Sequence, residues 1–175
     1  MQWARPGPDR WILKTPSHLH HLPALLAVFP DATLVQTHRD PVTSIVSSAN
    51  MVTYLHRGYY PHPHPSAVAH SVAGFVEDGL RTADRDRLAT GARVVDVHYH
   101  QLLADPIGAV AAVYAAAGCA LTDEARHRMT TWLADHRQHR HGVHRYAARD
   151  FDLDVPALRD RFRFYYDRFD VRREP

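Results

Sequence analysis

The sequence predicts an α/β layered fold built on a parallel sheet. Three observations carry that prediction. Short runs rich in β-formers alternate with longer runs of helical periodicity. Proline, glycine and Asx residues punctuate the boundaries between them. The 175 residues, 45% hydrophobic and 23% charged, suffice for one domain with a real core.

The elements follow in order. Residues 10–14, RWILK, form a short apolar run before the turn-like TPS and predict a first strand. Residues 19–29 place Leu22, Leu25, Leu26 and Phe29 at helical spacing, and Pro30-Asp31 stops that helix. Residues 32–38, ATLVQTH, are short and rich in β-formers, as in a buried strand. Asp40 then suits an N-cap and Pro41 a first helical turn, for a helix over 42–55. Residues 56–65 carry three prolines and a glycine and read as a long loop. A longer helix over 66–89, with Val68, Val72, Phe75, Val76 and Leu80 as its apolar positions, ends at Gly91. Residues 93–99, RVVDVHY, predict the third strand. Helices follow over 107–117, closed by Gly118, and from the Thr122 cap through Met129, Trp132 and Leu133. Residues 136–147 are polar and cationic and read as a second long loop. One amphipathic helix over 155–169 closes the chain, with Leu158, Phe162, Tyr165, Tyr166 and Phe169 as its apolar side.

Composition excludes several classes. No apolar run approaches the roughly 20 residues that cross a bilayer, and MQWARPGPDR has no signal-peptide core. Cys119 alone rules out an internal disulfide or a Cys-rich zinc site. A net charge of +2 does not imply nucleic acid. The expectation is a soluble cytoplasmic protein, with residues 1–175 as a single domain. The basic residues are 20 arginines and one lysine, Lys14. That bias suits a GC-rich genome, and it singles out Lys14 as a position needing a compact ammonium.

Ligands of parallel α/β sheets bind beyond the C-terminal ends of the strands. The three predicted strand ends carry Lys14, Thr15, Ser17 and His18; His38, Arg39 and Asp40; and His98, Tyr99 and His100. Ser44 and Ser47 lie one turn apart on the helix that follows Asp40-Pro41. A guanidinium, hydroxyls, an aromatic ring and a helix N-terminus together suit an anionic, phosphorylated ligand with an aromatic base.

WILKTPSHL, then FPDATLVQTHRDP, then Ser47 resemble the sulfotransferase family, especially its bacterial branch. The resemblance runs from Trp11 to Val171. It implies a three-layer, P-loop nucleotide-kinase-like fold. It also implies transfer of a sulfuryl group from 3′-phosphoadenosine-5′-phosphosulfate (PAPS) to the hydroxyl or amine of a small-molecule acceptor. No metal, nucleic acid or membrane span is implied. By this likeness Arg39 and Ser47 hold the 3′-phosphate, Tyr99 lies near adenine, and Lys14 stabilises charge at the transferring group. His18 deprotonates the acceptor, and Arg140 closes over the 3′-phosphate end. Pro16 and Ser17 separate Thr15 from His18, whereas in cytosolic relatives the histidine follows the threonine directly. His100 stands where the family has an acid, and Asp152 where the bacterial branch has glycine.

One departure is an absence. The family's first strand and 5′-phosphosulfate loop should precede Trp11, where this chain has only ten residues. The expectation is an N-terminally truncated domain, impaired in catalysis, with an exposed sheet edge open to self-association. The alternative is a non-catalytic remnant or interaction subunit. Other conspicuous residues have plainer readings. His62 and His64 lack a carboxylate at ligand spacing, His20 and His21 are scaffold, and Cys119 is a small buried hydrophobe. Trp132, Phe162 and Tyr166 are core residues. Tyr59 and Tyr60 could line an acceptor pocket.

Overall fold

The computed structural model describes residues 11–59, 64–136 and 147–174. Within them two strands, β1 (Leu34–His38) and β2 (Val94–His98), pair in parallel, with Leu34 opposite Val94 and His38 opposite His98. Between them run α2 (Pro41–His56) and α3 (Pro65–Thr90). Before β1 lie a 3-10 turn, Pro16–His20, and α1 (Leu22–Val28). After β2 come α4 (Tyr99–Ala104), α5 (Pro106–Ala116), α6 (Asp123–Asp135), α7 (Val155–Arg161) and α8 (Arg163–Phe169).

Local chemistry sets most of these boundaries. Asp40 caps α2 by accepting from the Val42 N–H at 2.8 Å, and Pro41 fills the first turn. Thr122 caps α6 through the Ala125 N–H. Gly91 ends α3 with φ of 62°, a left-handed value that costs glycine nothing. Asp152 takes φ of 55°, so it adopts the positive-φ turn in place of glycine.

Four sequence expectations need correction. Residues 11–15 form no strand: Ile12 is 96% exposed and unpaired with the sheet. A three-residue apolar run without a hydrogen-bonding neighbour among the described residues has nothing to hold it extended. The helix expected over 19–29 splits, because Pro23 cannot follow a helical turn that needs its N–H. It sits at the start of α1, and His21 breaks the chain before it. The helix expected over 155–169 divides at Phe162, which leaves helical geometry with φ of −97° and ψ of 11°. Tyr99, expected to end a strand, opens α4 instead. Of the loop read over 56–65, His56 ends α2, residues 57–59 form a turn and Pro65 opens α3, while 60–63 lie outside the described residues; of that over 136–147, residues 137–146 lie outside them.

The core lies between α2, α3 and the C-terminal segment. Val42, Ile45, Val46 and Ala49 from α2 meet Ala69, Ala73 and Leu80 from α3. Ala49, Ala69 and Ala73 are fully buried, and their small side chains let the two helices approach closely. Phe151, Leu158, Phe162, Tyr165 and Tyr166 complete the cluster, as expected for Phe162 and Tyr166. Trp132 departs from its core reading: it is 58% exposed, with its ring stacked on His136 at 4.3 Å. Phe75 is also largely exposed, resting on the His20 ring at 4.4 Å.

Candidate functional site

The site is built where β1 runs into α2. Strand alternation puts Gln36 and His38 on one face of the sheet and Val35 and Thr37 on the other. The face carrying Gln36 and His38 is the buried one, and Val35 is 43% exposed. The buried strand expected here is therefore buried on one face only. Polar side chains line the covered face, and they need partners.

Those partners come from three elements. The His38 Nε2–H donates to Asp96 Oδ1 of β2 at 2.7 Å, and the Tyr165 hydroxyl of α8 donates to His38 Nδ1 at 2.8 Å. An ionised carboxylate can only accept, which fixes this tautomer. Arg87, in the last turn of α3, holds Asp96 bidentately at 2.7 and 2.8 Å and reaches Gln36 Oε1 at 3.0 Å. His98 and Phe169 stack on the His38 ring at 5.1 and 4.7 Å.

Burial depresses the His38 pKa, and this outweighs the opposing pull of the Asp96 bond and charge. Burial pushes the Asp96 carboxyl up, but the bonds from Arg87 and His38 more than reverse that and leave it below its ordinary value. Burial also holds the Tyr165 phenol neutral well above its usual range. The network is thus a neutral imidazole between a neutral phenol and an ionised carboxylate.

A pH dependence follows. The folded protein binds fewer protons at His38 than the unfolded chain does. Its contribution to stability is therefore complete above the unfolded value of about 6.5 and is lost as the pH falls below it. His100, shifted down by burial and then by the Arg172 charge, has the same sign. Asp96 acts only lower, below the ordinary carboxyl range. Melting temperature should fall between about pH 7.5 and 5.5, and His38→Asn should flatten part of that slope in a pH series of thermal melts.

Immediately after His38 the chain delivers Arg39 and Asp40. Asp40 is 1% exposed and uses both carboxylate oxygens. Oδ1 accepts from the Val42 N–H at 2.8 Å and the Tyr166 hydroxyl at 2.7 Å. Oδ2 accepts from the Glu174 N–H at 2.7 Å. Burial, and then the bond to Asp40, keeps the Tyr166 phenol protonated. Arg39 lies between this buried anchor and solvent, its side chain 37% exposed. Its Nε–H and Nη2–H donate to the two carboxylate oxygens of Glu174, each at 2.7 Å. The guanidinium carbon lies over the Tyr99 ring, 4.2 Å from its centre.

The structure therefore brings Arg39 and Tyr99 together, two of the residues the sequence singled out. Ser47 is half-buried on α2, two turns beyond Asp40, and Ser44 one turn beyond. The α2 N-terminus contributes less than expected to an anion site: Asp40 already engages the N–H groups of Val42 and Ser44. Lys14 is exposed on the irregular segment that precedes the 3-10 turn, not at a strand end. His18 is half-buried in that turn, which Thr15 caps and which packs on α3. The expected convergence of three strand ends is thus reduced to two. Arg140 lies outside the described residues, as do Tyr60 and His62. Tyr59 is 85% exposed beyond α2, and Cys119 is half-buried rather than buried. Among the described residues no group of His, Cys, Asp or Glu is placed to hold a metal ion, and no helix is long and apolar enough to cross a membrane.

Sequence reading missed Glu174, Arg87 and Tyr165. A usable signal existed for the network: Gln36 and His38, like Asp96 and His98, recur at period two within strands.

Comparison with known proteins adds an independent line. A family model described as the sulfotransferase family matches residues 1–123. Two curated relatives, the omega-hydroxy-beta-dihydromenaquinone-9 sulfotransferases Stf3 of Mycobacterium bovis and Mycobacterium tuberculosis, are each 28% identical over 131 residues. The match covers 74% of this chain and 34% of each relative. Among crystal structures, sulfotransferase STF9 from Mycobacterium avium superposes with a TM-score of 0.83 at 32% identity, covering 98% of this chain and 44% of that one. Sulfotransferase STF1 from Mycobacterium tuberculosis H37Rv gives 0.73 at 35% identity, with 87% and 39% covered. The chain spans about a third of the length of the curated relatives and less than half of the solved structures.

Proposed function

The chain belongs to the sulfotransferase family, and from that premise we propose that it binds PAPS and serves transfer of its sulfuryl group to the hydroxyl or amine of a small acceptor. The single observation that carries the reading is the disposition of Arg39. A guanidinium fork projects from the strand–helix junction, seated against Tyr99 and half open to solvent. That fork matches a phosphate bidentately, as it now matches a carboxylate.

In this reading Arg39 and the Ser47 hydroxyl hold the 3′-phosphate. Tyr99 lies beneath the guanidinium at the adenine side, and Arg140 closes over the same end. Lys14 would stabilise charge on the transferring group and His18 would take the acceptor proton. Sulfuryl transfer resembles phosphoryl transfer in leaning on positioning and charge stabilisation, so misplacement of either group is costly. Nothing in the role requires a metal.

This reading assigns described residues to the 3′-phosphate end of the donor and, at the 5′-phosphosulfate end, only Lys14. We therefore expect the 175-residue chain to bind the donor through its 3′ end and to transfer poorly by itself. Incubation with radiolabelled PAPS and a panel of alcohols, phenols and amines tests this. Bound nucleotide with little or no sulfated product is the expected result. Robust sulfation would overturn the impairment and leave the sulfotransferase reading intact. Failure to bind the nucleotide at all would favour a non-catalytic interaction subunit.

A further inference from the structure

We propose that Glu174 is an internal competitor for the anion site of Arg39, so that the segment 171–174 sets donor affinity by having to yield its carboxylate. The inference rests on the reading of Arg39 as the phosphate-binding arginine.

Four contacts carry it. The Glu174 carboxylate takes the Nε–H and Nη2–H of Arg39 at 2.7 Å each. This is the side-by-side donor pair that a phosphate would use. The segment reaches that position without needing Arg39. Val171 is buried in the core, the Glu174 N–H donates to Asp40 Oδ2 at 2.7 Å, and Arg159 Nη2–H donates to the Glu174 carbonyl at 2.9 Å. The backbone of residue 174 is thus docked by its own bonds, and its side chain is delivered to the guanidinium as a built-in anion. The same guanidinium lies over the Tyr99 ring, and its Nε–H and Nη2–H are the groups for which anions compete.

The competition has a defined geometry. A phosphate and the carboxylate cannot share the same two N–H groups, so donor entry must rotate the Glu174 side chain outward. Only that side chain has to move, because the backbone bonds to Asp40 and Arg159 do not involve it. Both partners are partly exposed, 37% for Arg39 and 27% for Glu174, so the pair is weak enough for a doubly charged phosphate to displace. The converse role, Glu174 as a support that holds Arg39 ready for phosphate, predicts the opposite sign and is separable by experiment.

The test is calorimetric titration of the 175-residue chain with 3′-phosphoadenosine-5′-phosphate (PAP), in wild type and in Glu174→Gln, Glu174→Ala and Arg39→Ala. The glutamine variant keeps the backbone bonds and side-chain shape and removes the charge. Glu174→Gln should bind PAP about three- to tenfold more tightly than wild type, and Glu174→Ala at least as tightly as the glutamine variant. Measurable binding in Glu174→Gln where wild type shows none would support the proposal equally. Unchanged or weaker binding in both Glu174 variants, with Arg39→Ala still losing affinity, would overturn the competitor and leave the phosphate site standing. Undiminished binding in Arg39→Ala would overturn the phosphate site itself and the competitor with it.

Discussion

Replacing Asp40 by alanine is expected to lower the stability of the folded chain by about 3 kcal/mol. The carboxylate is 1% exposed and accepts three hydrogen bonds from three separate parts of the fold. Loss of the α2 cap alone costs about 1 kcal/mol. The substitution also leaves the Tyr166 hydroxyl and the Glu174 N–H without their acceptor in a buried setting, at a further cost of about 1–3 kcal/mol. For a chain of this size the sum corresponds to a fall in melting temperature of about 6–12 °C. Asp40→Asn keeps one acceptor oxygen and should recover part of the loss. Thermal denaturation of the two variants beside wild type checks both statements. A melting temperature for Asp40→Ala close to that of wild type would mean that this junction does not hold α2, α8 and the segment 171–174 together. The same variant should bind nucleotide poorly, since Asp40 fixes the strand–helix junction from which Arg39 projects.

The Arg39→Ala variant separates binding from stability. Its ion pair with Glu174 is partly exposed, so its loss should cost the fold no more than about 1 kcal/mol. Its loss to a phosphate is larger, because a bidentate charge-assisted pair is worth about 1.5–3 kcal/mol, or about 10- to 150-fold in affinity for PAP. Arg39→Lys should recover only part of this. An ammonium retains the charge but has neither the planar fork nor the broad cation that lies over Tyr99. Titrations with PAP and melts on the same preparations check the pair of expectations: affinity falls strongly while melting temperature barely moves.

The legible features were those written in neighbouring residues. Asp40-Pro41 announced a capped helix, Gly91 a helix stop and Thr122 a cap. Each depends on chemistry within a few positions of the chain. Arg39 and Tyr99 were legible in the same way, as residues that follow strands. What surrounds them was not. Glu174 lies 135 positions from Arg39, and Tyr165 lies 127 from His38. No local spacing connects them, and only tertiary packing of α8 and the segment after it brings them in. The reading of residues 10–14 as a strand failed for a related reason. An apolar run takes its conformation from the neighbour that pairs with it, and Ile12 and Leu13 are exposed here. The polar face of the sheet was misread because β-propensity registers Val35 and Thr37 as readily as it does a buried side. The burial in fact falls on Gln36 and His38.

The central claim is that Arg39 reads a 3′-phosphate on an adenine nucleotide. The most direct test compares the affinity of the wild-type chain for PAP with its affinity for 5′-AMP, which lacks that phosphate and is otherwise alike. The account predicts tighter binding of PAP by at least about tenfold, with the difference largely abolished in Arg39→Ala. Equal affinity for the two nucleotides in wild type, or a preference that survives in Arg39→Ala, would contradict it.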